Sequence, residues 1–235
     1  MDISRKSMPV STTTARTGFT STADIVLPKQ STRLTSISQT PGKGNIMDAF
    51  AACLQATLRE EGGYSDDPKD PGGATMHGIT QETYDRYRSE EGLPVCNVKT
   101  IGADEVGAIY RHGYWDPIGG SQLPPGIDLA VFDAAVNSGP QRAVSWLQQA
   151  LNQQRSPALQ LAIDGVFGQQ TGQALEQVKD IGAVIDAICT QRLAFLKTLP
   201  GWLHFGTGWS NRIRRIHDEA RSRALPEESA APYTA

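Results

Sequence analysis

An apolar stripe that ends on a carboxylate sets the terms for this chain. Between about residues 46 and 61, Ile46, Phe50, Cys53, Leu54, Thr57 and Leu58 recur at helical spacing, with Asp48, Gln55 and Arg59 on the opposite side. At ~100° per residue, Glu61 lies only about 20° from the centre of that stripe, and Glu60 sits at its edge. A carboxylate therefore points where a leucine is expected. Such a position, desolvated and at the negative end of a helix, suits an acid that must hold a proton near neutral pH. Gly62-Gly63 then stops the helix and leaves the approach to Glu61 free of side chains.

The stretch that follows, Tyr64 to Thr80, is dense in Asp, Pro and Gly and has room for one small hairpin. Asp66 and Asp67 read as turn residues. A calcium loop is excluded because Pro71 stands where that template requires glycine. Thr80 caps a helix running to about Glu91, stopped by Gly92. Asp104 opens a short helix that carries Val106, Ile109 and Tyr110 into the pair Tyr114-Trp115. A further helix with Ile127, Leu129, Val131, Phe132 and Val136 is broken by Asn137-Ser138-Gly139-Pro140, and Pro140 suits the first turn of its successor. Helical patterns recur around 171–178, over 183–199 and from about Trp209 to Ala224. No alternating strands stand out. The fold class is all-α, with at most one small β-hairpin near 64–80.

Composition matters mainly at the ends. The whole chain has a formal net charge of −3, yet residues 1–45 carry Arg5, Lys6, Arg16, Lys29, Arg33 and Lys43 against Asp2 and Asp24. That segment is rich in Ser and Thr and lacks periodicity, so it reads as a low-complexity basic arm with Pro41-Gly42-Lys43-Gly44 as linker. A flexible tail and a docking arm onto a larger assembly are both open. Nothing in the chain resembles a signal peptide's apolar core or a membrane span. The expected organisation is the arm over 1–45, a helical body over 46–225 and a tail over 226–235, the body made of segments 46–120 and 121–225.

The string Glu61-Gly62-Gly63-Tyr64, followed by Asp67-Pro68-Lys69-Asp70-Pro71-Gly72-Gly73-Ala74-Thr75 and Gly78-Ile79-Thr80, resembles the signature of glycoside hydrolase family 108, the lysozyme-like muramidases. The similarity continues through Leu123 to Pro140. It also covers Asp164-Gly165-Val166-Phe167-Gly168-Gln169-Gln170-Thr171 and the ending Gly208-Trp209 with Arg212, like the segment named a peptidoglycan-binding domain. The resemblance implies one lysozyme-like helical body with a cleft, no cofactor, and Glu61 as the catalytic acid. Asp70, nine positions on, repeats the Glu-to-Asp interval of phage-type lysozymes; Thr75 follows five residues later, one closer than in that pattern.

Breaking a glycosidic bond needs a proton for the leaving oxygen, negative charge near the forming oxocarbenium ion and, in inverting enzymes, a base for water. Glu61 fits the donor, Asp70 the second carboxylate (or a turn-capping Asx residue), and Thr75 the orientation of water. Tyr114 and Trp115 form either a sugar-stacking wall or core packing. Asp133 and Asn137, four apart on one helical face, are either helix tethers or hydrogen-bonders lining the cleft.

Competing chemistries lack their residues. His77, His112, His204 and His217 show no paired metal-ligand spacing, so no metal is expected. Cys53, Cys96 and Cys189 make no disulfide framework. Arg212, Arg214, Arg215, Arg221 and Arg223 read as a solvated basic face rather than a nucleic-acid surface, because Asp218 and Glu219 dilute it. The reading is a peptidoglycan hydrolase cutting between N-acetylmuramic acid and N-acetylglucosamine, with the glycan strand as partner. A lytic transglycosylase, and a non-catalytic wall-binding or phage-tail component docked by the arm, are the alternatives. With no export signal in view, the expectation is synthesis in the cytoplasm and action on periplasmic peptidoglycan, reached through a pore, a secretion machine or a virion.

Overall fold

The computed structural model describes residues 48–66 and 73–225. The arm, the tail and Asp70 lie outside the described residues. Among those described, eight α-helices and one two-stranded sheet form the fold, as the all-α reading expects.

Helix α1 (Ala49–Leu58) starts where the Asp48 carboxylate accepts the Phe50 amide, and it buries Phe50, Cys53, Ala56 and Thr57. It is shorter than the expected 46–61. After Leu58 the chain tightens: Glu60 N–H bonds to the Thr57 carbonyl at 2.9 Å and Glu61 N–H to Leu58 at 3.3 Å. The Gly62-Gly63 pair cannot propagate an α-helix cheaply, so the last turn closes with shorter-range bonds. Glu61 is thereby carried past the helix end.

Strands β1 (Thr75–Met76) and β2 (Ile79–Thr80) are the expected hairpin, in register Thr75↔Thr80 and Met76↔Ile79. Its two central residues, His77 (φ 51°) and Gly78 (φ 76°), both sit in the left-handed region. A two-residue turn of this kind matches strand twist and needs positive φ at both places. Thr80 then caps α2 (Gln81–Glu90), accepting the Thr83 amide. Helix α3 (Ala103–Tyr110) runs into a π-helical turn, Arg111–Trp115, which turns Tyr114 and Trp115 inward.

Helix α4 (Ile127–Ser138) is buried from Ile127 to Val136 on every side. Around it pack α1, α5 (Pro140–Asn152, with Pro140 in the first turn), α7 (Ile181–Lys197) and α8 (Trp202–Arg223). The short α6 (Gln169–Leu175) rests on α5. Where α4 begins, Gly126 has φ 89°, and a Cβ there would lie 2.4 Å from the Ala220 carbonyl of α8. The two backbones meet at a point that only glycine permits. One apolar cluster extends from Phe50 to Ala220.

Helix α8 starts seven residues earlier than the sequence pattern indicates. The helix runs through Gly206, which is buried because the Trp202 indole lies over it, 2.7 Å from where its Cβ would be. No helix among the described residues is long and apolar enough to cross a membrane.

Two of the three cysteines are closed off. Burial pushes the Cys53 and Cys189 thiols up to about 12, against an ordinary 9.0. That lowers their thiolate fraction by roughly a thousandfold near neutral pH. A thiol reagent at pH 8 is expected to label half-buried Cys96 alone in the native protein and all three after denaturation. Rapid native labelling of more than one thiol would contradict this packing.

Candidate active site

The site is built around a carboxylate that its own helix does not hold. The Glu61 side chain is 6% exposed, and its Oε1 takes the Nη1 of Arg212 at 2.8 Å. Arg212 comes from α8 and turns its remaining face to Asp133 of α4, with Nε at 3.2 Å from Oδ2 and Nη2 at 2.7 Å from Oδ1. Arg192 of α7 closes the row, Nη1 to Asp133 Oδ2 at 2.7 Å. Arg192, Asp133, Arg212 and Glu61 thus form a buried line of alternating charge that ties three helices to the end of α1. Buried ions persist only when paired in this way.

Burial by itself would raise Asp133, but the guanidiniums of Arg212 and Arg192 outweigh it and hold the carboxyl at about 2. For Arg212, burial favours loss of the proton, and Asp133 and Glu61 more than reverse that, so the guanidinium stays charged.

The second oxygen of Glu61 faces the hairpin. A Cβ on Gly78 would stand 3.1 Å from Oε2 and 2.9 Å from the Tyr110 hydroxyl. The same hydroxyl donates to the His77 carbonyl at 2.7 Å. The turn is therefore wedged between Tyr110 and Glu61, and glycine is what lets the carboxylate approach the backbone. Tyr114 also lies near: burial first, then the charge of Glu61, push its phenol upward, as they do for Tyr110. Both phenols remain protonated donors.

The expected apolar bed under Glu61 is therefore a guanidinium flanked by two tyrosines, because a carboxylate buried to this extent requires a partner. Trp115 is 1% exposed; it packs edge-on against Phe50 at 5.5 Å and Phe132 at 5.6 Å, and its indole N–H meets Ser121 Oγ at 3.2 Å. It offers no open ring face to a sugar. Tyr114, 6% exposed, is likewise enclosed. Asp133 is a tether between helices. Asn137, one turn on and half-buried, accepts the Ser138 hydroxyl at 3.3 Å. Thr75 pairs with Ser65 through both backbone groups, at 2.9 and 2.8 Å, and its hydroxyl donates to the Gly73 carbonyl at 3.1 Å.

Arg212, Tyr110 and Gly78 were not singled out by the sequence as site residues. Arg212 had a usable signal: it adjoins Ile213 and stands four residues before Ile216, both buried on the inward face of α8. Nor is the supposed basic face of α8 simply solvated. Arg215 pairs with Glu60, Arg223 with Asp128 at 3.1 Å, and Arg221 with Asp186 at 3.7 Å.

The family model for Glycosyl hydrolase 108 matches residues 54–139, a span that includes Glu61, the hairpin, Tyr110, Tyr114 and Asp133. Among solved structures, SagA of Brucella abortus is 37% identical, with 76% of this chain and 97% of that one covered and a TM-score of 0.63. No curated protein matches.

Proposed function

The chain belongs to glycosyl hydrolase family 108, and from that premise we propose that it is a lysozyme-like muramidase, with Glu61 the general acid for cleavage between N-acetylmuramic acid and N-acetylglucosamine. The observation that carries this reading is the setting of Glu61. It is a carboxylic group almost removed from water, fixed at one oxygen by Arg212 and laid by the other against Gly78 of the hairpin turn.

A glycosidic oxygen leaves only if it is protonated as the bond breaks, so Glu61, ion-paired to Arg212 through Oε1 in the free protein, must take up a proton on Oε2 before it can give one, and it must be positioned before the sugar arrives. Arg212 and the Gly78 turn do the positioning, and at Gly62-Gly63 a Cβ would meet nothing within 4 Å among the described residues. Asp70 is proposed as the second carboxylate on its place in the sequence alone, and Thr75 as the residue that orients water. The anomeric form of the product tests Asp70, because retention of configuration removes it from the base role.

Mass analysis of fragments released from purified peptidoglycan tests the function. The expected fragments carry a hydrated muramic acid at the new reducing end. An anhydro end would make the protein a lytic transglycosylase, and no fragments at all would leave a wall-binding component.

Gly78→Ala is expected to reduce turnover by about tenfold or more and to cost about 1–2 kcal/mol of stability. The φ of 76° is strained for alanine, and the new methyl would press on both the Tyr110 hydroxyl and the Glu61 carboxylate. Unchanged kinetics in that variant would show that the turn does not position the acid.

A further inference from the structure

The row Arg192, Asp133, Arg212 and Glu61 contains one member that its packing does not explain. Asp133 is already met at both oxygens by Arg212, with Nε at 3.2 Å from Oδ2 and Nη2 at 2.7 Å from Oδ1. Arg192 adds a third bond from the far side, Nη1 to Oδ2 at 2.7 Å. Its own guanidinium gains little in return. The residue is 1% exposed, and its Nε and Nη2 are buried with no hydrogen-bond partner among the described residues. Orphaned donors on a buried cation are costly. Arg192 also stands on the apolar stripe of α7, four residues from Ile188 and Leu196 and three from Cys189, all buried, where a leucine would fit the pattern.

Counting charge shows what the arginine does there. Arginine keeps its proton under all ordinary conditions, and Asp133, held at about 2, has lost its own. With Glu61 ionised as well, the two arginines and two carboxylates cancel; with a proton on Glu61 they leave one net positive charge. Without Arg192 the same two states would carry one net negative charge and none. Loading the acid therefore works against a positive charge in a water-poor interior, and Arg192 is its source. Bonding acts with the same sign. Arg212 divides its donors between Asp133 and Glu61, and a third donor on Asp133 leaves Arg212 freer to hold Glu61 in its ionised form.

The groups around the row do not change this count. On the Glu61 side stand Tyr110 of α3 and Tyr114 of the π-helical turn, and on the Arg192 side Cys189; burial keeps all three protonated. Glu60 is taken by Arg215, and His217 of α8 pairs with Asp186 and Asp218.

We propose that Arg192 is a positioning residue of the reaction, acting through Asp133 and Arg212 to set the pH at which Glu61 takes up the proton it delivers; the proposal rests on the muramidase reading. Arg192 confines cleavage to lower pH than the same site would allow without it.

Initial rates on soluble uncrosslinked glycan strands, taken well below saturation from pH 4 to 9 at constant ionic strength, give kcat/KM and so report proton uptake by the free protein. A reaction that needs a protonated acid slows as pH rises through that step. Arg192→Gln removes the charge and keeps a donor for Asp133, Arg192→Met removes both, and Arg192→Lys keeps the charge. The falling limb is expected roughly 0.5–1.5 pH units higher in Arg192→Gln and Arg192→Met, the scale of one unit charge at an effective dielectric near 20. Arg192→Lys is expected to return it to the native position. An arginine with a structural role alone would lower the rate at every pH and leave the limb in place. If the native protein cuts strands and the limb stays put in both neutral variants, or moves as far in Arg192→Lys, the role of Arg192 is refuted and the muramidase reading survives. Failure of both neutral variants to fold would make Arg192 a structural member of the row and overturn the proposal. If the native protein cuts nothing at any pH, both readings fail.

Discussion

Asp133→Ala is expected to destabilise the protein by about 3–5 kcal/mol, the largest effect of any single change outside the apolar core. Its carboxylate is wholly buried and is the partner of both Arg192 and Arg212. Removing it leaves two guanidiniums in the interior with one buried carboxylate, Glu61, to face them. Breaking a buried pair costs this much because the surviving charge has been stripped of water and left unpaired. Thermal or denaturant unfolding measures the loss directly.

The pH dependence is a second check on the same group. Asp133 is held at about 2 in the folded chain against an ordinary 3.8, so folding favours its charged form. The stabilisation is present above about pH 4 and is lost as pH falls through 2, a contribution of roughly 2 kcal/mol. The stability gap between the native protein and Asp133→Ala should therefore be flat from pH 5 to 8 and should narrow below pH 4. A gap that widens on acidification would contradict the arrangement.

Glu61→Gln is expected to lower turnover on peptidoglycan by roughly 10²–10⁴-fold, the usual worth of a general acid. Glutamine keeps the shape and can still accept from Arg212, while Asp133 continues to neutralise that arginine. The stability cost should stay near 1–2 kcal/mol, the scale of one hydrogen bond to a charged group. Because the loss falls on proton transfer, kcat should drop with little change in KM. A rise in KM at constant kcat would make Glu61 a binding residue.

The parts of this fold that are legible in the sequence are those set by neighbours along the chain. Thr80 and Gly92 bracket α2, Pro140 opens α5, and the hairpin appears where the turn residues are. The apolar stripe that ends at Glu61 likewise indicates a carboxylate turned toward the interior. What neutralises it is not local. Arg212 is 151 residues away, and its inward turn is decided by how α8 packs on α4 and α7. From the sequence it looks like one of several arginines on a basic helix. Trp115 illustrates the same limit from the other side, since an aromatic pair at a helix end fits a sugar wall as well as a core, and the packing of Phe50 and Phe132 around it decides for the core. The first two turns of α8 pass through Gly206, where the absence of a side chain makes space for the Trp202 indole, a contact that spacing along the chain does not reveal.

The proposed cleavage depends most on the chemistry of one side chain, and the appearance of new reducing ends in purified peptidoglycan tests it most directly. The native protein and Glu61→Gln are compared at equal concentrations of folded chain. The prediction is steady release by the native protein and release at or near background by the variant; equal release from the two would contradict the assignment of Glu61 as the acid.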